Sequence, residues 1–308
     1  MIKSPILPIN WQAIPLLQAV QHPALLAAKV QLFMLREDLI HPQLQGNKWR
    51  KLQYNLLAAQ AEGLTTVLTY GGAYSNHIYA TAAAGQLTGL RTIGIIRGER
   101  TEPLNTTLAF AERCGMHLHF VDRAAYRQKN TPAFAAQMRD RFGNFYQIPE
   151  GGSNLLGVRG VADMVAHLPA CDYVAVACGT GATAAGILVG RALLQQSFEL
   201  WAVAALKGGD FLATDIADFC ASYDAAFGES HTLTPISPFR LLTQYHGGGY
   251  AKTTPDLVAF CADFEAQTQI PIEPVYTGKM LFGIFDCLAK GEFASHSVIV
   301  AIHTGGLR

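Results

Sequence analysis

Residues 173–186 read YVAVACGTGATAAG. The first six, Tyr173 to Cys178, form a near-continuous apolar run, the composition of a strand buried on both faces of a parallel sheet. Gly179-Thr180-Gly181 breaks the run, and a helix-forming stretch opens at Ala182. Glycines in such a turn let backbone N–H groups converge, and the positive end of the helix adds to them, so the turn suits a phosphate. The candidate ligands are Gly179, Thr180, Gly181, Ala182 and Thr183, with hydroxyl donors on the two threonines. Gly179-x-Gly181-x-x-Ala184 also satisfies a dinucleotide fingerprint. However, the following apolar run, LWAVAAL (200–206), leads into Lys207-Gly208-Gly209 rather than an acidic ribose ligand. A tight turn without a ligand is the third reading.

The alternation extends outward in both directions. SVIVAIH (297–303) is another doubly apolar strand, and helices are predicted near 182–195, 254–267 and 278–290. Toward the N-terminus, a helix over 48–62 precedes the β-branched strand TTVLTY (65–70), and a helix near 75–87 leads to RTIGIIR (91–97). A helix near 104–113, the strand HLHFV (117–121) and a helix opened by Thr131-Pro132 follow. Strand–helix alternation over this length predicts an α/β protein of open, doubly wound αβα layers.

Composition bounds the rest. With 308 residues, half of them hydrophobic and 15% charged, the chain has material for about two domains and is not disordered. Lys+Arg and Asp+Glu both number 23, which argues against binding to nucleic acid or an anionic membrane by bulk charge. Six cysteines without a C-x-x-C pair read as reduced thiols, and a cytoplasmic setting is expected. Met1 to Pro5 lacks the apolar run of a signal peptide, and the apolar stretch 174–190 is too short and too broken to span a bilayer. His117 and His119 alternate like strand residues with no ligand partners at metal spacing, so no metal site is predicted.

A second feature is GNKWRK (46–51), which places Lys48 in the first turn of a helix. The positive helix end disfavours an ammonium there and favours a nucleophilic amine. A further glycine turn, GGAYSNH (71–77), opens another helix and offers backbone donors, the Ser75 hydroxyl and the Asn76 amide to a carboxylate. Phosphate cradle, amine and anion site together suit a phosphorylated aldehyde joined to an amino acid as a Schiff base. The plainer alternatives are a solvated lysine, and Ser75 and Asn76 serving as helix caps.

GNKWRKL, GGAYSNH, PEGGSNLLG (149–157), CGTGATAAG, PVYTGK (274–279) and HTGG (303–306), in that order, resemble the family of 1-aminocyclopropane-1-carboxylate deaminases and D-cysteine desulfhydrases. This is a tryptophan-synthase-β-like group of pyridoxal-phosphate enzymes of fold type II. The resemblance implies pyridoxal 5′-phosphate as cofactor, a small amino acid as substrate and a homodimer. It implies a larger domain of 1–49 plus 151–308, a smaller one of 50–150, and the cofactor in the cleft between them. It makes Lys48 the residue bonded to the cofactor's aldehyde and the carrier of protons at the substrate α-carbon. Asn76 resembles the residue facing the cofactor's 3′-oxygen, and residues 179–183 hold the phosphate. Thr304 is a candidate partner for the ring nitrogen. Ser75 and Tyr276 are implied as catalytic, with Ser75, Asn76, His77 and Tyr250 facing the substrate.

In the cyclopropane deaminases a glutamate follows the tyrosine matching Tyr276; here Thr277 does, as in the desulfhydrases. The arginine found two residues after the histidine in relatives is Tyr79. The expected reaction is therefore α,β-elimination, with D-cysteine ahead of the cyclopropane amino acid as substrate. A nicotinamide oxidoreductase and a non-catalytic pyridoxal-phosphate or amino-acid-binding protein are the rival readings.

Overall fold

A computed structural model describes residues 9–11, 13–228 and 239–307. The chain opens with β1 (Leu16–Ala19), α1 (Pro23–Ala28), β2 (Gln31–Arg36) and α2 (Asn47–Ala61). Next come β3 (Thr66–Gly72), α3 (Asn76–Thr88), β4 (Arg91–Arg97), α4 (Thr106–Arg113), β5 (His117–Val121), α5 (Arg123–Arg127), α6 (Pro132–Phe142) and β6 (Tyr146–Gln147). The remainder runs α7 (Leu155–Met164), β7 (Tyr173–Cys178), α8 (Ala182–Leu193), β8 (Glu199–Ala204), α9 (Leu212–Phe227), β9 (Phe239–Leu242), α10 (Pro255–Thr268), α11 (Thr277–Ala289) and β10 (Val298–Ile302). Two compact units divide the described residues: 13–50 with those from 155 on, and 51–154 with 9–11.

The larger unit is built on a six-stranded sheet in the order β1-β2-β10-β7-β8-β9. Every pairing is parallel except that of β1, which closes one edge antiparallel to β2. The apolar runs read in the sequence are its central strands, and their alternation fills two cores. Val174, Val176 and Cys178 join Val300 and Leu200 under α7, α8 and α9. Ala175, Ala177 and Val203 join Met34 and Ala301 under α1, α10 and α11. A strand that feeds two cores has no polar face to offer, which is why its sequence is continuously apolar.

The smaller unit carries the parallel sheet β5-β4-β3-β6. Leu68, Tyr70, Ile93 and Ile95 pack with Phe134 and Met138 of α6, while Ile96 packs with Ile78 and Ala82 of α3 and Leu108 of α4. Both units are thus αβα layers. Helix starts follow their caps: Thr131 and Thr254 accept the N–H groups of Phe134 and Leu257, each with proline at the first helical position.

Several elements were not predicted. β1, α1 and β2 lie before the first expected helix, and α7 and α9 fill stretches to which the sequence pattern assigns no element. β3 runs on through Gly72, so the Ser75 turn hangs directly from the end of a strand.

Candidate active site

Lys48 lies in the first turn of α2, and this turn is tied down from three directions. The Gly46 N–H donates to the Glu37 carbonyl at 2.9 Å, and the Asn47 N–H to the Thr304 carbonyl at 3.3 Å. The Asn47 side-chain amide donates to Thr183 Oγ1 at 3.1 Å. Gly46 has φ +63°, and a methyl group there would fall 1.8 Å from the Thr304 carbonyl oxygen, so only glycine lets the two backbones meet. One turn on, the Arg50 guanidinium grips the buried Glu37 carboxylate through Nε and Nη2 at 2.8–3.2 Å. Burial raises the Glu37 pKa while Arg50 opposes the rise. Lys48 is half-buried, and desolvation lowers its pKa to about 8.

The glycine turn after β7 ends in Gly181, with φ +78°, at the N-cap of α8. No side chain caps this helix. Its first N–H groups have no acceptors within the helix and face the position an anion would take. Ala182 and Thr183 are buried, and Thr183 is the residue that Asn47 reaches. A methyl group on Gly179 would lie 3.2 Å from Tyr276 Cε1, so the Tyr276 ring rests on the glycine turn. Tyr250, half exposed, meets Tyr276 edge-on at 5.9 Å between ring centroids. The larger unit therefore links Lys48's turn to Thr304 and Thr183, and the glycine turn to Tyr276 and Tyr250.

Tyr276 is the N-cap of α11, and its placement comes from a residue the sequence reading missed. The half-buried Glu273 carboxylate accepts the N–H groups of Val275 (2.6 Å), Tyr276 (3.0 Å) and Thr277 (2.7 Å). Burial raises its pKa against these hydrogen bonds. Thr277 is fully buried, and its hydroxyl has no hydrogen-bond partner among the described residues. Thr304 is held by its neighbour His303. The His303 Nε2 donates to the Pro271 carbonyl at 2.9 Å, and its Nδ1 accepts the Gly305 N–H at 3.2 Å. With Nδ1 an acceptor the ring is neutral, and burial lowers its pKa although Asp38 lies 3.6 Å away.

The smaller unit holds Ser75, Asn76 and His77. Ser75 is the N-cap of α3, with Oγ accepting the His77 and Ile78 N–H groups at 3.2 and 3.3 Å. Its lone pairs serve the helix, and its proton is what remains for a ligand. The Asn76 amide carries no hydrogen bond to a described residue. His77 is buried inside the unit. Thr69 donates its hydroxyl proton to the Ile148 carbonyl at 2.9 Å, so His77 Nε2 is the donor in the 2.8 Å contact with Thr69. Tyr79 lies flat on Phe110 at 3.8 Å and fills a packing role.

Comparison with known proteins decides what such a site belongs to. The sequence profile of the family described as "Pyridoxal-phosphate dependent enzyme" matches residues 11–305. The chain belongs to this family. Within it, the enzyme is 30% identical over 286 residues to a Thermotoga maritima protein named "Putative 1-aminocyclopropane-1-carboxylate deaminase", covering 90% of this chain and 88% of that one. It is 27% identical over 288 residues to a D-cysteine desulfhydrase of Yersinia pestis, covering 90% and 86%. The crystal structure of a protein described as an ACC deaminase homologue superposes with a TM-score of 0.84 at 25% identity, over 98% of this chain and 91% of that one. A pyridoxal 5′-phosphate-dependent aspartate racemase shares the fold, with a TM-score of 0.69 at 14% identity, over 96% and 90%. The enzyme is thus a fold type II member of the deaminase and desulfhydrase group.

Its cofactor is pyridoxal phosphate, and the residues of the larger unit fit that group. The uncapped start of α8 suits the phosphate, the Lys48 amine with its lowered pKa suits the aldehyde, and the unengaged Thr277 hydroxyl is a buried donor awaiting an acceptor. Glu37 and Glu273, and the link from Asn47 to Thr183, escaped the sequence reading because their roles arise from contacts with backbone or with residues distant in sequence. Only the Glu273-Pro274 step just before the tyrosine gave a local hint.

Proposed function

We propose that the enzyme catalyses α,β-elimination from a small amino acid, with D-cysteine as substrate and pyruvate, sulfide and ammonia as products. The observation that carries this reading is the residue after Tyr276: a buried, neutral threonine hydroxyl. The nearby carboxylate, Glu273, is committed to three backbone N–H groups. Bound pyridoxal phosphate supplies the sink for the electron pair left at the substrate α-carbon. A ring nitrogen that meets hydroxyls from Thr277 or Thr304 is not held protonated as it would be by a carboxylate, so the sink is weak. A weak sink suits the departure of hydrosulfide, a good leaving group, better than the breaking of a cyclopropane C–C bond.

The chain's own groups divide the remaining work. Lys48, with a pKa near 8, can take the α-proton and pass it to the departing sulfur at neutral pH. Residues 179–183 hold the phosphate through backbone donors, and Asn76 presents its free amide to the cofactor's 3′-oxygen. Ser75 donates its remaining proton to the substrate carboxylate, with His77 fixing the start of α3 beneath it. Tyr276 and Tyr250 face the substrate side chain.

The test is an assay of the purified enzyme with D-cysteine, L-cysteine and 1-aminocyclopropane-1-carboxylate, following sulfide, pyruvate and 2-oxobutyrate. The highest kcat/KM is expected for D-cysteine. A higher value for 2-oxobutyrate release would make the enzyme a cyclopropane deaminase instead. A shifting cofactor spectrum without any keto acid would make it a binding protein.

A further inference from the structure

Lys279 is fully buried, and no carboxylate lies within ion-pair distance of it among the described residues. Lysines are rarely buried without such a partner, because desolvating the ammonium is costly. Here Nζ donates instead to two backbone carbonyls, Ala205 at 2.9 Å and Gly249 at 2.8 Å. Ala205 follows the last residue of β8, and Gly249 directly precedes Tyr250. Lys279 itself sits one helical turn beyond Tyr276 on α11.

The segment that carries Tyr250 has no regular structure to hold it. Gly247, Gly248 and Gly249 all have positive φ, at 61°, 94° and 139°. Its own turn bonds join Gly248 and Gly249 to His246, and Lys252 to Gly249, and one face of α11 ties the segment to the rest of the unit. The Tyr245 ring packs on Gly283, where a methyl group would fall 2.8 Å from it, and the Tyr245 hydroxyl donates to Asp286. Tyr276, Lys279, Gly283 and Asp286 succeed one another at helical spacing along that face. Tyr276 meets the Tyr250 ring itself, and Lys279 holds the backbone just before it. A methionine would fill the same space without the desolvation cost, but it would take Nζ from the Ala205 carbonyl and leave the Gly249 carbonyl with the Lys252 N–H at 3.1 Å, untying the segment from β8.

We propose that Lys279 is a positioning residue that sets Tyr250 against Tyr276 by clamping the Gly249 carbonyl to the end of β8. The proposal rests on the reading above in which Tyr250 faces the substrate. It assigns Lys279 no contact with substrate or cofactor.

The test is a double-mutant cycle on the cofactor-loaded enzyme with Lys279→Met, Tyr250→Phe and the pair, measuring kcat and KM on the best amino-acid substrate and cofactor affinity by absorption titration. Lys279→Met is expected to lower kcat/KM about tenfold, the scale of one lost hydrogen-bonding tie, with cofactor affinity unchanged. The pair should be no worse than the poorer single variant. Multiplying effects, or a loss of cofactor affinity that accounts for the whole change, would overturn the clamp. If Lys279→Met does not fold, Gly247→Ala perturbs the same tie from the other side, since its methyl group would meet Lys279 Cε at 3.2 Å. It should then lower kcat/KM in wild type and leave Tyr250→Phe unchanged, and a further loss on that background would overturn the proposal. Wild-type kinetics in Tyr250→Phe would instead remove the substrate-facing role of Tyr250, a failure of the earlier reading and separate from that of the clamp.

Discussion

At the scale of single residues, Lys48 combines two demands that conflict. The proposed reaction needs its amine, and the fold desolvates that amine, lowering its pKa from 10.5 to about 8. Below pH 8 the folded, cofactor-free chain must hold a desolvated ammonium that the unfolded chain leaves in water. Between about 8 and 10.5 the unfolded chain binds more protons, so this penalty is relieved as pH rises. Lys48→Met should therefore stabilise the cofactor-free protein near pH 7 by about 1–3.5 kcal/mol, the upper figure being the full shift at ~1.4 kcal/mol per pH unit. The gain should fade by pH 10 in urea unfolding, and the variant should show no turnover. A destabilised variant at pH 7 would mean that Lys48 is paired rather than merely buried. The residue also shows what is legible in sequence: Lys48 declares itself through the glycine before it. Lys279 and Glu273 declare nothing, because a backbone carbonyl or N–H partner leaves no trace in residue identity.

At the scale of elements, the turns that feed helices determine the site, and two glycines of nearly equal φ separate close approach from backbone conformation. Gly63, at φ +70°, ends α2 with open space within 4 Å of where a methyl group would sit, whereas Gly46, at φ +63°, abuts Thr304. Gly63→Ala should cost about 1 kcal/mol, from the left-handed backbone alone. Gly46→Ala should cost at least about 3 kcal/mol and weaken cofactor binding, because the Thr304 loop must retreat. Paired urea titrations and cofactor titrations measure both, and equal costs would refute the close-approach account. The same effect explains why α7 was not anticipated. LLGVRGVADM carries two glycines that count against a helix, yet a methyl group on Gly160 would fall 2.0 Å from the Arg50 carbonyl oxygen. Packing overrode local preference there. β1 and α1, at four and six residues, are too short to impose a period.

At the scale of the whole molecule, the parallel sheets were legible because strands buried on both faces are apolar throughout. The hydrogen-bonded order of the strands was not, since it depends on crossovers far apart in sequence. Burial also shapes the response to acid. His22, His41, His119, His167 and His303 all have pKa values lowered from 6.5, chiefly by desolvation. Below pH 6.5 the unfolded chain takes up protons that the folded chain refuses, so stability falls as pH falls. Glu37 and Glu273, with pKa values raised from 4.5, work in the opposite sense closer to that pH. The melting temperature is therefore expected to drop between about pH 7.5 and about 5.5 in scanning calorimetry, and less so in His303→Gln, measured as the change between the two pH values. A flat profile would contradict the histidine account.

The meeting of Gly46 with Thr304 has a consequence for synthesis. The segment that bears the reactive amine emerges early from the ribosome, but the strand and loop that seat it are translated far later. Until residue 304 has been made, β2 lacks its neighbour β10 and the amine has no fixed position. If Lys48 bonds the cofactor as proposed, seated vitamin B6 is expected only once that loop has been translated.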